Sequence, residues 1–144
     1  MDKKDVAILN SLKQNAKYST NQIAKKTLIP ITTVHHRIKK LEKEGIIKGY
    51  TVIIDSQKIG KPISAYILVT VDYKLLKQFK LSQQDLVNKI RKLEGIEEAH
   101  MVTGGTDIIL KVNVESIETL NHLVTERLRN LEAIDKTQTM VILN

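Results

Sequence analysis

The stretch IPITTVHHRIKKLEKEGIIKGY, residues 29–50, decides how this chain is read. A helix opens near Pro30 to Thr33, and Val34, Ile38 and Leu41 follow at i, i+4 and i+7, the spacing of a buried stripe. Gly45 supplies the stop, since glycine takes left-handed dihedrals without steric cost. At 100° per residue, Thr32, His36, Lys39 and Lys43 point away from the stripe. Thr33 and Lys40 lie beside them, and His35 and Arg37 sit on the two borders. Only Glu42 and Glu44 offset this positive charge, and like charges on adjacent turns weaken an isolated helix. The charge therefore calls for an external anion. Docked by its stripe, such a helix presents hydroxyl, imidazole and ammonium donors suited to base edges and phosphates in a major groove. N-terminal positions of such helices reach bases, which makes Thr32, Thr33 and His36 base-reading candidates. Arg37, Lys39, Lys40 and Lys43 are phosphate contacts, and His35 completes the DNA-facing set. A merely solvated charged face is the rival reading, and the helix alone does not separate the two.

The flanks favour DNA. Upstream, Val6, Ile8, Leu9 and Leu12 make a helical stripe, and Ser19 with Gln22 is a capping-box pattern opening a second helix that turns Ile23 and Ala24 inward. Downstream, IIKGYTVIID reads as a small hairpin around Lys48-Gly49. Three helices and a hairpin make a winged helix-turn-helix. Residues 1–60 carry 12 Lys+Arg against 5 Asp+Glu, whereas residues 61–144 carry 11 of each, so the whole excess of +7 lies in the front part. That asymmetry fits a nucleic-acid-binding module joined to a neutral one. The absence of an aromatic stacking stripe argues against a single-strand platform.

SQKIGKP, residues 56–62, reads as a linker between a first domain over 1–55 and a second over 63–144. In the second, ISAYILVTVDY alternates as a strand, Ser82 and Asp85 cap a helix through DLVNKIRKLEG, and IEEAHMVT and DIILKVNVE are strands around GGT. Ser116 opens a helix to about Leu131, and Ile134 to Leu143 closes as a strand. The order is the βαββαβ of a ferredoxin-like domain, so the fold class is α+β. Residues 74–81 are read either as a helical extension or as a loop.

The turn Thr103-Gly104-Gly105-Thr106-Asp107 is a second candidate site. Its glycines let backbone N–H groups approach a small anion, and Asp107 offers a partner for an ammonium, a combination suited to a zwitterion. An ordinary hairpin turn is the competing reading, and chemistry alone favours it. No nucleophile, base pair or metal triad accompanies Asp107, so no catalytic residue and no enzyme are expected. His35 and His36 diverge by about a third of a turn without further ligands, so no metal is expected either. The chain has no cysteine, no run of the ~18–20 apolar residues of a membrane span and no signal-peptide start, which implies a cytoplasmic protein away from membranes.

A set of residues in order then resembles one family. Asp5 with Ile8-Leu9 and Leu12, Ile23-Ala24, Val34, Arg37-Ile38, Leu41-Glu42, Gly45, Ile47, Gly49-Tyr50 and Gly60 precede Val102-Thr103-Gly104 with Asp107, a V-T-G-x-x-D turn. Together they resemble the Lrp/AsnC (feast/famine) regulators over nearly the whole chain. The resemblance implies a transcription regulator with a DNA-binding winged helix-turn-helix and a ferredoxin-like RAM domain. It implies homodimers, frequently assembled into octamers, and an amino acid or related metabolite, rather than a cofactor, bound near Gly104 to Asp107. Thr139 on the last strand borders that pocket by the same resemblance. Several features depart from the pattern, among them a segment 74–81 that is several residues longer than usual. Leu28 stands where the family commonly has Gly, and Pro30 where it has a serine cap, which passes capping to Thr32 or Thr33. Gly105-Thr106 replaces an acidic-aromatic pair, and Ile108 an aromatic. The expected function is sequence-specific recognition of double-stranded DNA under amino-acid control. The alternatives are an effector-independent architectural DNA binder, an enzyme using Asp107, and a scaffold whose basic helix only confers solubility.

Overall fold

The structure, a computed structural model, describes Met1–Leu143, so residue 144 of the expected second domain lies outside it. The chain divides into two compact units, Met1–Ile54 and Asp55–Asn144. Three helices build the first unit: α1 (Lys3–Gln14), α2 (Thr20–Thr27) and α3 (Ile31–Lys43). Each start has a local cause. Asp2 and Asp5 form a capping box on α1, and Ser19 with Gln22 forms one on α2, so orphan N–H groups at both helix starts are satisfied within four residues of sequence. Pro30 precedes α3 with no side-chain cap, so neither Thr32 nor Thr33 takes the capping role. Proline removes one donor from that first turn in any case.

Ile8, Ile23, Ile29 and Val34 form the buried centre of the first unit, and Leu12, Tyr18, Ala24 and Ile38 pack against it. Each fully buried aliphatic contributes about 1.5–3 kcal/mol. Val6 does not join them and is exposed, because the inward stripe of α1 runs through Asp5, Ile8 and Ser11. The α2–α3 turn depends on Leu28, which caps α2 in the left-handed region (φ 57, ψ 30) with its side chain 91% exposed, while Ile29 points inward. Gly45, at φ +70, ends α3 as the glycine rule expects.

The expected hairpin over residues 46–55 is absent. This segment has no strand pairing, and Val52, Ile53 and Ile54 are exposed. A two-stranded ribbon needs an apolar surface beneath it to be stable, and these side chains have none. The segment is tied back to α3 by the Ile46 and Ile47 N–H groups, which donate to the Leu41 carbonyl at 3.0 Å, and by Tyr50, which donates its hydroxyl to Glu42 Oε1 at 2.9 Å.

The second unit contains one antiparallel sheet in the order β2-β3-β1-β4, from β1 (Ile63–Val71), β2 (Ile96–Met101), β3 (Ile108–Val114) and β4 (Ile134–Val141). Period-2 alternation sends Ala65, Ile67 and Val69 of β1 and Ile108, Leu110 and Val112 of β3 to the covered face. There they meet Leu86, Val87 and Ile90 of α5 (Gln83–Arg91) and Leu120 of α6 (Ile117–His122). Residues 73–78 form a short separate helix, α4 (Tyr73–Gln78), capped by Asp72 and followed by Lys80 at φ 53. Helix α6 continues as a π-wound segment, Leu123–Leu128, and helical winding stops there rather than at Leu131. The opposite sheet face carries Tyr66, Leu68, Ile109 and Met140, which neighbour one another in the register.

Candidate functional site

Two places were marked by the sequence, one in each unit. On α3, Val34 and Leu41 are buried and Ile38 half-buried, which turns Thr32, His35, His36, Lys39, Lys40 and Lys43 to solvent. Thr33 is half-buried. His35 and His36 meet edge to face with ring centroids 5.9 Å apart. Two of the lysines are partly neutralised along the helix, Lys39 by Glu42 at 3.6 Å and Lys40 by Glu44 at 3.8 Å. Both pairs are exposed and contribute little to stability, so the ammonium groups can exchange these partners for others.

Arg37 differs from the rest of the set. Its Nη1 donates to Asp2 Oδ2 at 2.5 Å and to Asp5 Oδ1 at 2.9 Å, joining α3 to the start of α1. Hydrogen bonding from the Asp5 backbone, then from Arg37, holds the Asp2 carboxyl down at about 2. The Asp5 carboxyl is lowered by the Asp2 backbone N–H and then by Arg37. A guanidinium committed to two carboxylates is an internal clamp, which withdraws Arg37 from the outward set.

Sequence reasoning missed two neighbours of this face. Thr20, at the start of α2, and Ile31, the first residue of α3, line a shallow groove of about 400 Å³ with Thr32, His35 and His36. Ile31 continues the Val34–Ile38–Leu41 stripe one turn toward the helix start, yet it is 48% exposed, so no pattern along the chain signalled its exposure.

In the second unit, Gly104 sits at φ +113, which strongly favours glycine, whereas Gly105 needs no such freedom and has open space around its Cβ position. Thr103, Gly104 and Gly105 are exposed, and Thr106 and Asp107 half-buried. The Asp107 carboxylate is engaged from within the chain: Oδ2 accepts from the Val71 N–H at 2.8 Å and Oδ1 from the Tyr73 hydroxyl at 2.7 Å. That bond to Asp107 raises the Tyr73 phenol above its ordinary range. The Gln83 amide donates to the Asp107 carbonyl at 3.0 Å. Asp107 thus fastens the turn to the end of β1 and to the helices after it. Each of its oxygens retains a lone pair for a further donor. Thr139 pairs with Ile67, whereas Thr137 pairs with Val69, the residue whose carbonyl accepts the Asp107 N–H. The threonine of β4 level with the turn is therefore Thr137, whose buried Oγ1 has no hydrogen-bond partner among the described residues.

Comparison with known proteins bears on both places. Residues 64–144 match the Lrp/AsnC ligand binding domain, and residues 1–48 match a winged helix-turn-helix DNA-binding domain. An uncharacterized HTH-type transcriptional regulator of Pyrococcus furiosus is 36% identical over 141 residues, covering 98% of this chain and 91% of its own. The leucine-responsive regulatory protein of Haemophilus influenzae is 31% identical over 143 residues, covering 99% and 84%. Among solved structures, LrpC of B. subtilis superposes with a TM-score of 0.82 at 29% identity, covering 100% of this chain and 95% of its own. A transcriptional regulator of Neisseria meningitidis, solved as an L-Met complex, shares the fold with a TM-score of 0.86 at 20% identity, covering 100% and 90%.

Proposed function

Because the chain belongs to the Lrp/AsnC family of DNA-binding transcription regulators, we propose that it is a homo-oligomeric, sequence-specific binder of double-stranded DNA under the control of an amino acid. In this reading residues 1–55 bind DNA, 56–62 link, and 63–144 pair subunits and hold the effector in the cytoplasm, without catalysis. The observation that carries it is the α3 face, a row of hydroxyl, imidazole and ammonium donors on a helix fixed by buried Val34 and Leu41. Thr32, Thr33, His35 and His36 take the base edges, and Lys39, Lys40 and Lys43 the phosphates. Two α3 helices of a dimer would enter successive major grooves about 34–36 Å apart. The half-apolar sheet face of Tyr66, Leu68, Ile109 and Met140 supports pairing of two copies.

For the effector, the exposed Thr103–Gly104–Gly105 backbone with Thr106 and Asp107 supports binding of a carboxylate and an ammonium together, with Thr139 or Thr137 at its edge. An amino acid acts as a switch only if it binds one arrangement better than another. The Neisseria meningitidis complex makes L-methionine the first compound to try. Effector-independent architectural binding is favoured instead by the internal partners that Asp107 already has. Genome-wide recovery of bound DNA, with and without each free amino acid, tests the proposal. Discrete pseudo-palindromic sites whose occupancy shifts with one amino acid are expected. Uniform recovery would install the architectural reading, and no recovery would end both.

A further inference from the structure

A cavity of about 250 Å³ opens at the far end of the sheet from the glycine turn, between Gly95, the end of β3 and the π-wound segment. The turn precedes Ile108 and the cavity lies at Val114, so the length of β3 separates them, about 20 Å at ~3.3 Å per residue. Four charged side chains line it: Lys61 and Arg127, Glu94 and Glu115. Their charges cancel, yet none of the four forms an ion pair among the described residues. Two cations and two carboxylates around one hollow, held apart from one another, match a guest carrying both signs.

The backbone around the hollow is specialised. The π winding of Leu123–Leu128 brings Leu123 and Arg127 to the wall, and such wide turns recur at functional sites. Gly95, at φ +90, lies so close that a Cβ there would meet Val114 Cγ1 at 3.0 Å. Lys61 belongs to the segment between the unit boundary and β1, and that segment is held to the sheet by Ser56 Oγ, which accepts from the buried Asn113 amide at 3.0 Å.

We propose that this cavity is a second small-molecule site, separate from the Gly104–Asp107 turn, which takes a free amino acid through both of its charged ends. Arg127 and Lys61 receive the carboxylate, and Glu94 and Glu115 the ammonium. The volume is below the roughly 300–1,000 Å³ of pockets for drug-sized ligands, which fits a metabolite of this size. An occupant bridging Lys61 and Arg127 draws the segment before β1 against the π-wound helix, which gives the site a means of acting on the connection to the first unit.

The test is calorimetric titration of the full chain with each of the twenty free L-amino acids, using wild type, Arg127→Ala, Glu115→Gln and Gly105→Trp. The last variant fills the turn at a position where a Cβ meets nothing within 4 Å. Expected is an amino acid whose affinity falls about tenfold or more in Arg127→Ala and in Glu115→Gln, as loss of a charge-assisted contact predicts, and is unchanged in Gly105→Trp. Its N-acetyl and methyl-ester forms, each lacking one charge, should both bind more weakly by a similar factor. Binding lost only in Gly105→Trp would overturn the second site while leaving the turn as the effector site. No binding of any amino acid to the wild type would also overturn it.

Discussion

Replacing Leu28 with glycine should stabilise the first unit, although it deletes a large apolar side chain. Leu28 occupies the left-handed region at φ 57 and ψ 30 and is 91% exposed. A side chain with a Cβ costs about 1–2 kcal/mol there, and exposure means that little burial is lost with the isobutyl group. Glycine loosens the unfolded chain by about 0.4–1 kcal/mol, which offsets part of the relief. The net expectation is a gain of about 0.5–1 kcal/mol, or on the order of 4 °C for a unit this small. Leu28→Asn is the companion variant, because asparagine visits the left-handed region without the entropic cost of glycine. Urea denaturation, combined with amide hydrogen exchange at the buried Ile23 and Val34, reads the first unit separately from the second. A loss of stability in both variants would refute the reasoning and show that the exposed side chain is held by a contact outside this chain.

Three further outcomes are expected. Gly95→Ala should destabilise the second unit by about 1–3 kcal/mol in thermal unfolding, because φ +90 and a 3.0 Å approach to Val114 Cγ1 act together, whereas Gly105→Ala should be neutral or slightly stabilising. Asp107→Ala leaves the Val71 N–H without its acceptor and should cost about 2 kcal/mol in urea, with Tyr73→Phe costing less. The Asp2 carboxyl, lowered to about 2, contributes stability that is complete above its ordinary range near 4 and lost as pH falls through about 2. In Arg37→Met its NMR titration should move upward without returning fully, since the Asp5 backbone N–H is the larger cause of the shift.

What could be read from the sequence followed the range of each interaction. The Val34–Ile38–Leu41 stripe, the Ser19–Gln22 and Ser82–Asp85 caps and the Gly45 stop all act within a few residues, and each forms as its pattern indicates. The order of strands followed from alternation in the same way. The Arg37 clamp joins residues 35 and 32 positions apart, so the chain pattern showed a free cation where folding gives an occupied one. Likewise the Val71 and Tyr73 partners of Asp107 are 36 and 34 positions away. Residues 46–54 have strand-forming side chains but no surface to cover, and propensity without packing suggested a hairpin that does not form. The level of Thr137 against the turn is set by pairing across β1, which no local signal encodes.

The most direct test is the salt dependence of duplex binding, measured by fluorescence anisotropy between about 50 and 200 mM salt on DNA recovered from the protein's own genome. Wild type should lose affinity steeply, and Lys39→Ala, Lys40→Ala and Lys43→Ala together should flatten the slope by about one for each lysine removed from a phosphate, with α3 still folded on Val34 and Leu41. An unchanged slope in the triple variant, or no duplex binding by the wild type at the lowest salt, would contradict the account.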